Sequence, residues 1–287
     1  MPQVVQSLIN GRSVGSNLPK IIKVYPGNGQ PIAEIEPATD AMLDEAVAAA
    51  VEAQKVWYAM ESFTRGRILV KAAELMRENL EELSKLEVQD VGKAYNEAFS
   101  ADVISGADAL EYFGSLCQTN RGEMFRYDNV VAYTEKVPIG VCAGIGAWNF
   151  PAQIACWKAA PALAAGNAFI LKPSELTPLV NHKIADILKE AGVPDGLFQI
   201  IHGDYNIGRS ICAHEGIGKI SLTGGVATGK LIMQQSASTL KKVTLELGGK
   251  SPLIGNCLPQ YASSFHHLNL SSTSTTYSFI YTFITFM

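Results

Sequence analysis

The segment 138–175 constrains the fold of this chain more than any other. It contains a short apolar run at 139–145, a turn, an Ala-rich stretch, and a second apolar run at 168–171 that ends in Lys-Pro-Ser-Glu. Short apolar runs bounded by turns are typical of buried strands, and the Ala-rich stretch has the length of a helix. The segment therefore predicts a strand–helix–strand unit of a parallel sheet.

The same alternation continues towards residue 250. Strand candidates lie at 139–145, 168–172, 197–201, 218–222 and 242–246. Helical segments are predicted between them, at 151–165, 177–191, 205–214 and 226–236. Strands joined by short loops and single helices form parallel sheets with helices on both faces. We therefore expect an α/β fold whose centre, over 138–250, is a doubly wound five-stranded parallel sheet.

The residues before this unit, 1–121, are expected to form strands and helices that pack on the sheet. Turn-forming Gly and Pro residues within 1–38 indicate short strands, one of them at 32–35. Apolar stripes at helical spacing predict three helices: from Thr39, from Thr64 with Leu83 in its buried stripe, and over 97–116. This part is therefore expected to support the sheet.

Two further segments differ in character from the rest. Residues 122–137 alternate on either side of Asp128-Asn129, which predicts a β-hairpin. Residues 251–287 contain no Asp, Glu, Lys or Arg and are rich in Ser, Thr and aromatic residues. We expect this tail to be disordered and unrelated to the fold before it. Its final apolar run is too short to span a bilayer.

Charge and cysteine usage exclude several classes of function. The formal net charge is −4 at pH 7, so neither nucleic acid nor an anionic membrane is expected as a partner. The five cysteines are scattered, which favours a reducing compartment, and the sequence does not begin with a basic and apolar leader. These features predict a cytoplasmic protein. His266-His267 and Cys257 lack the spacing of metal ligands, so no metal is expected.

Polar side chains follow the first two predicted strands. Asn149 follows the first strand, and Lys172 and Glu175 follow the second. Ligands of parallel sheets bind at the carboxyl ends of strands, where a carboxylate accepts hydrogen bonds from the adenosine ribose and repels a 2′-phosphate. An NAD site is one interpretation, with Asn149 as an oxyanion donor. The alternatives are a helix cap for Asn149 and an exposed loop ion pair for Lys172 and Glu175.

Two glycine-rich turns follow the later strands. Thr223-Gly224-Gly225 opens a predicted helix whose N-terminus can face a pyrophosphate, or it only packs helix on strand. The magnesium-binding P-loop is excluded, because Leu231 stands where that motif needs Ser or Thr. Glu246 ends the last strand among apolar neighbours, where burial would raise its pKa as a general base requires. Alternatively, Glu246 pairs with Lys250 or caps a turn.

Four motifs, taken together and in this order, resemble the aldehyde dehydrogenase superfamily: W-N-F-P, L-K-P-S-E, the T-G-x-x-x-x-G turn and L-E-L-G-G-K-S-P. The resemblance covers about residues 10–254 and is most similar to the branch that includes 4-trimethylaminobutyraldehyde dehydrogenase. It implies oxidation of an aldehyde to a carboxylic acid with NAD, and an aminoaldehyde such as 4-trimethylaminobutyraldehyde as the substrate. It also implies that the hairpin at 122–137 serves a homo-oligomer.

The resemblance assigns roles to individual residues. Asn149 resembles the oxyanion donor and Glu246 the general base, while the Leu247 carbonyl would hold the nicotinamide carboxamide. The remaining residues that the resemblance assigns to cofactor binding are Ile145, Trp148, Lys172, Glu175 and Gly225. Gly225 stands where many members have a Ser, so only its backbone can contribute to pyrophosphate binding.

One departure from the family pattern concerns the catalytic thiol. The family's nucleophilic Cys lies a few tens of residues beyond the Glu, but Cys257 follows Glu246 too closely and has a different context. The domain that normally follows L-E-L-G-G-K is also missing. We therefore expect a truncated chain that is inactive as an enzyme, since no thiolate can start the reaction. The alternatives are a non-catalytic NAD-binding module and an unstable product.

Overall fold

The structure, a computed structural model, describes residues 2–119, 121–249, 252–257 and 277–282. In chain order the strands are β1 (Gln3–Val5), β2 (Ser7–Ile9), β3 (Arg12–Val14), β4 (Ile21–Val24), β5 (Pro31–Ile35), β6 (Met124–Arg126), β7 (Val131–Tyr133), β8 (Val141–Ile145), β9 (Ala168–Lys172), β10 (Phe198–Ile200), β11 (Lys219–Gly224), β12 (Lys242–Leu247), β13 (Pro252–Cys257) and β14 (Tyr277–Thr282). The α-helices are α1 (Asp40–Ala59), α2 (Ser62–Glu78), α3 (Leu80–Val91), α4 (Tyr95–Glu97), α5 (Val103–Leu116), α6 (Pro151–Ala164), α7 (Val180–Ala191), α8 (Tyr205–Ala213) and α9 (Val226–Ser236).

Within the described residues, the central sheet has seven strands in the order β12-β11-β8-β9-β10-β2-β3. The five strands β8 to β12 are parallel, as the sequence predicts. The strands β2 and β3 extend this sheet with antiparallel pairing, which the sequence analysis did not assign. The strand β3 pairs locally with β2, but β2 has three residues and its partner β10 is remote in the chain, so no local pattern could reveal that this pair joins the sheet.

Helices cover both faces of the parallel strands. The helices α6 and α7 pack on one face, supported by α2 and α5, while α1, α8 and α9 pack on the other. The strands β8 and β9 are therefore buried on both sides, and their apolar residues run continuously instead of alternating. This explains why the apolar runs of the sequence were sufficient to locate them.

The N-terminal helices follow the predicted stripes with one break. Thr39 caps α1, its Oγ1 accepting from the Met42 amide at 3.3 Å, and the predicted stripe through Trp57 is buried. The expected single helix from Thr64 through Leu83 is instead α2 and α3, divided at Asn79. The Asn79 side chain donates to the Leu75 carbonyl at 2.8 Å, and such local bonds compete with a continuing helix.

The predicted helix over 97–116 contains one irregular turn. A π turn at Ala98–Asp102 joins α4 to α5 and is the point where the buried Asp102 pairs with Lys93. Isolated π turns inside helices are frequent at functional sites. This turn brings a buried acid towards the start of α6, which the sequence spacing alone did not indicate.

The hairpin and two tail segments form separate two-stranded sheets. The strands β6 and β7 pair as predicted, and the Tyr127 amide donates to the Val130 carbonyl at 2.8 Å across the turn. The tail was expected to be disordered, but β13 and β14 pair antiparallel, so that expectation does not hold for these two segments. Their high β-propensity accounts for the pairing. The rest of the expected tail lies outside the described residues.

Among the helices that the structure describes, none combines the length and the apolar character needed to cross a bilayer.

We expect Trp57→Phe to lower the free energy of unfolding by about 2 kcal/mol, because it removes a buried hydrogen bond and leaves a cavity. Trp57 is 0% exposed, and its Nε1 donates to the Leu163 carbonyl at 2.8 Å. Urea denaturation followed by far-UV circular dichroism measures the change. Trp148→Phe is the matched control, since Trp148 is 56% exposed and its loss should cost less than about 0.5 kcal/mol. Equal losses would contradict this account.

Candidate functional site

A cavity of about 350 Å³ lies at the carboxyl ends of the central parallel strands. The ends of β8, β9 and β11 lie side by side at this edge of the sheet, because Ile145 pairs with Lys172 on one side and with Leu222 on the other. The chain runs from β8 outward to β10 and then crosses back to β11, so the cavity lies where the strand order reverses. In open parallel sheets, ligands bind at this switch point. The cavity is therefore the principal candidate for a cofactor site.

The cavity brings together five of the residues that the sequence assigned to cofactor binding. They are Ile145, Trp148, Lys172, Glu175 and Gly225. The sixth, Leu247, ends β12 and contacts α9, but it is not part of the cavity lining. Strand ends that are far apart in sequence therefore converge, as the parallel sheet requires.

Lys172 and Glu175 form the charged side of the cavity. The Lys172 side chain is 6% exposed, donates to the Pro173 carbonyl at 3.1 Å, and lies 3.7 Å from Glu175 Oε2. Burial lowers the pKa of Lys172, and the carboxylates of Glu175 and Asp204 oppose that shift. The Glu175 side chain is 42% exposed, so its carboxylate remains available to a ligand. The pair is therefore built into the cavity and is not a fully exposed loop ion pair.

The N-terminus of α9 forms another wall. Gly225 is its N-cap residue, and Thr228 from the first turn also lines the cavity. A Cβ added at Gly225 would meet nothing within 4 Å, so space is open beside this turn. At Gly229, a Cβ would come within 2.9 Å of Leu247 Cδ2, so this second glycine allows α9 to pack on β12. The packing of α9 on β12 agrees with the second interpretation of this turn, while the pyrophosphate interpretation stays a prediction.

The helices α8 and α9 contribute residues that the sequence analysis missed. Asp204, Tyr205 and Arg209 line the cavity from the α8 side, and Gln235 lines it from α9. Asp204 caps α8, its Oδ1 accepting from the Asn206 amide at 2.8 Å. Gln235 Nε2 donates to the Tyr205 hydroxyl at 3.1 Å and joins the two helices. Asp204 follows β10 closely, so the strand-end rule that identified Lys172 could have identified it.

Asn149 lies at the turn that starts α6 but does not cap this helix. The N-cap residue is Phe150, without a side-chain capping bond, and Asn149 Oδ1 is buried with no hydrogen-bond partner. Two charged side chains hold this turn: Glu87 Oε2 accepts from the Ala152 amide at 3.2 Å, and Lys93 Nζ lies 3.9 Å from the Phe150 ring centre. The capping alternative for Asn149 is therefore excluded.

Glu246 lies beside a second cavity, of about 370 Å³, on the α6 face of the sheet. The expectation that apolar neighbours bury this carboxylate is wrong, because Glu246 is exposed. It ends β12, which is the edge strand of the described sheet. In the same cavity, Lys158 Nζ donates to Ser221 Oγ at 3.0 Å. Burial lowers the pKa of Lys158 to about 8, and the negative charge of Glu246 opposes the shift.

The four cysteines with described side chains are buried. Burial raises the pKa of Cys142 to about 11, of Cys156 to about 12 and of Cys212 to about 11, and it also raises the pKa of Cys117. Reactive thiols have lowered pKa values and access to solvent. The prediction that Cys142 and Cys156 are core residues is therefore confirmed, and none of these four is an activated nucleophile.

The fold and the first cavity define an α/β protein with a dinucleotide-type site. The model of the family described as "Aldehyde dehydrogenase family" matches residues 14–255. This chain belongs to the aldehyde dehydrogenase family. The resemblance stated from the four sequence motifs is thereby confirmed at the level of the superfamily.

Curated relatives carry a more specific name. A betaine aldehyde dehydrogenase of Rhizobium etli (strain CIAT 652) is 52% identical over 235 residues, which cover 82% of this chain and 48% of the relative. A betaine aldehyde dehydrogenase of Vibrio vulnificus (strain YJ016) is 48% identical over 254 residues, which cover 88% of this chain and 52% of the relative. The chain thus spans about half the length of the curated relatives it matches. Their name differs from that of the branch inferred from the sequence.

Solved structures share the fold. The NAD⁺ complex of aldehyde dehydrogenase from Bacillus cereus superposes with a TM-score of 0.84 at 35% identity, covering 87% of this chain and 52% of that chain. An NADP-dependent enzyme of E. coli superposes with a TM-score of 0.83 at 32% identity, and the match covers 87% of this chain and 52% of the E. coli chain. The α/β fold predicted from the sequence is therefore confirmed by experimental structures.

We expect Glu87→Gln to flatten the pH dependence of stability. Burial raises the pKa of Glu87 from 4.5 to about 8. Between these values the folded state holds a proton that the unfolded state has lost, so the free energy of unfolding falls as the pH rises through this window, by about 1 kcal/mol per pH unit. Gln keeps the acceptor for the Ala152 amide but cannot ionise, so it removes the contribution of Glu87 to the slope. Burial also raises the pKa of Asp90 to about 7, so a slope of the same sign persists below that pH.

Urea denaturation at several pH values from about pH 5 to about pH 8.5 measures the slope of stability against pH. Glu78→Gln is the matched control, because Glu78 is exposed. The control should keep the slope of the unmodified chain. If Glu87→Gln also kept it, the buried carboxyl would not be the group responsible.

Proposed function

We propose that this chain is the NAD-binding part of an NAD-dependent aldehyde dehydrogenase, an oxidoreductase that converts aldehydes to carboxylic acids. The observation that carries the proposal is the cavity at the strand switch point, which gathers Lys172, Glu175 and the N-terminus of α9. Family membership supports it independently. The domain division at 121, 137 and 250, read from the sequence, belongs to the same proposal.

The residues around the cavity fit the parts of NAD. The half-exposed Glu175 carboxylate suits the hydroxyl groups of the adenosine ribose, with Lys172 beside it. The open space at Gly225 and the amides of the first turn of α9 suit the pyrophosphate. Ile145 and Trp148 provide apolar walls. When bound, NAD would supply the hydride acceptor for the oxidation.

Three further residues are proposed for the chemical step. Asn149 would donate its amide to the developing oxyanion, and its unpartnered side-chain oxygen shows that the side chain is not engaged as a helix cap. Glu246 would act as general base towards water, since its exposed carboxylate is accessible. The carbonyl of Leu247, at the end of β12, would hold the nicotinamide carboxamide.

The chain by itself is proposed to be a non-catalytic NAD-binding module. Aldehyde oxidation in this family type begins with a thiolate, and the four described cysteine side chains are buried with raised pKa values. Cys257 follows Glu246 too closely in the sequence to take this role. The thiol would have to come from outside the part of the chain described here.

We propose an aminoaldehyde with a quaternary ammonium group as the substrate class of the whole enzyme. Relatives named betaine aldehyde dehydrogenase support this class, and 4-trimethylaminobutyraldehyde carries the same group. Trp157, which is 40% exposed beside the second cavity, offers an aromatic face of the kind that binds such cations. Betaine aldehyde and 4-trimethylaminobutyraldehyde therefore remain the two candidates.

The exposed hairpin supports a homo-oligomer as the assembly. All six residues of β6 and β7 are exposed, including Met124, Phe125 and Tyr133. Apolar side chains on a two-stranded sheet mark a surface for protein contacts. A cytoplasmic location agrees with the free buried thiols.

We expect the chain to bind NAD⁺, and Glu175→Gln to weaken that binding about tenfold by removing a charged acceptor. Isothermal titration calorimetry measures both dissociation constants. Glu190→Gln is the matched control, since Glu190 is exposed and lies outside the cavity lining. Absence of heat with the unmodified chain at millimolar NAD⁺ would refute the proposed function.

We expect no NADH when the chain is mixed with NAD⁺ and betaine aldehyde or 4-trimethylaminobutyraldehyde. Absorbance of the reduced nicotinamide measures the product. The reason is that the described thiols cannot ionise near neutral pH. NADH formation in proportion to the amount of purified chain would show that it is catalytic by itself.

A further inference from the structure

Lys158 is a buried lysine to which the proposed function gives no role. It lies on α6 and is 7% exposed. A Cβ added at Gly144 of β8 would come within 3.2 Å of Lys158 Cδ, so the lysine side chain passes over β8 at this glycine. Its Nζ reaches the neighbouring strand β11 and donates to Ser221 Oγ at 3.0 Å. The amine therefore has a fixed position on the α6 face of the sheet.

The amine also lines the second cavity, of about 370 Å³. Ile139 and Ile154 contribute apolar walls to this cavity, and Glu246 lines it from the edge strand β12. Because Glu246 and Ile139 are both exposed, the cavity is open to solvent. A small organic molecule with an apolar body can therefore reach the amine without any movement of the fold.

The surroundings of the amine disfavour its charged form. Among the ion pairs of the described residues, none includes Lys158. Burial lowers the pKa of Lys158 to about 8, the negative charge of Glu246 opposes the shift, and the positive charge of Lys219 adds to it. The partner of the amine is a hydroxyl group, which can accept from an ammonium and donate to a free amine. Ser221 therefore suits both forms of Lys158.

A lysine in such a position is a nucleophile towards carbonyl groups. Desolvation in an apolar site, or a second cation nearby, activates the amines that form Schiff bases with carbonyl compounds. At about pH 8, roughly half of an amine with a pKa near 8 is uncharged, against roughly one in 250 for a lysine with the ordinary pKa of about 10.4. Lys158 therefore differs from a surface lysine in both accessibility and reactivity.

We propose that Lys158 is a modification site at which small uncharged aldehydes that enter the second cavity are captured reversibly as imines. The free amine attacks the carbonyl carbon, and the carbonyl electron pair moves to the oxygen. The nitrogen gives up two protons to that oxygen, the carbon–oxygen bond breaks, and water leaves as the carbon–nitrogen double bond forms. The exchange needs neither an oxidant nor NAD, so it is independent of the proposed function.

Reductive trapping of the whole chain with propionaldehyde and cyanoborohydride, without NAD, tests the proposal, because hydride addition to the imine carbon makes the adduct permanent. Peptide mass spectrometry then measures the rate of labelling at each lysine. At about pH 8, Lys158 should be labelled at least about tenfold faster than Lys230, which is exposed on α9. In guanidinium chloride at a concentration that unfolds the chain, this preference should disappear, since it depends on the cavity.

Two variants provide a second measurement on the intact mass of the folded chain. Lys158→Met should remove the rapidly formed adduct, whereas Lys230→Met, the matched control, should keep it. Circular dichroism verifies that both variants are folded. Labelling of Lys158 no faster than that of Lys230, or the same preference in the unfolded chain, would overturn the inference. Neither result would affect the proposed function, which the NAD⁺ titration tests separately.

Discussion

The pairing of β8 with β9 on one side and β11 on the other is the constraint on which the site depends. Ile145 lies level with both Lys172 and Leu222, so the loops that follow these strands open at the same edge of the sheet. A one-residue slip in either register would turn the side chains to the opposite face. Continuous apolar burial of β8 and β9 between two helical layers stabilises this register.

Buried charge is the second feature that shapes the site. Burial removes solvent from Lys172, Lys158 and Glu87. It lowers the pKa of the two lysines and raises that of Glu87, so in each case it favours the neutral form. Each also lies near a segment that the proposed chemistry needs. Lys172 lies beside Glu175, Lys158 lines the same cavity as Glu246, and Glu87 accepts from the Ala152 amide at the start of α6. Desolvated charges of this kind lower stability unless they are paired. The position of Lys172 and Lys158 in the two cavities, and of Glu87 at the start of α6, therefore indicates function more than it indicates stability.

The residues proposed for cofactor binding and the cysteine thiols lie in different parts of the described structure. The groups that would hold NAD come from strand ends and helix starts of one sheet, so the sheet alone assembles them. The described thiols, by contrast, lie inside the core, where burial raises their pKa values. Glu246 is exposed on an edge strand, with no described element beyond β12 to cover it. The structure thus supports a nucleotide-binding role more directly than a complete reaction.

The sequence by itself determined the parallel strands, their crossover helices and the residues at the strand ends, because these depend on local apolar runs and on turn residues. It could not determine that β2 and β3 join the sheet, since that pairing links residues about 190 positions apart, as in Leu8 with Ile200. The exposure of Glu246 and the presence of Arg209 in the lining of the first cavity were likewise decided by tertiary structure. Both depend on which elements pack beside a residue, and no local pattern encodes that.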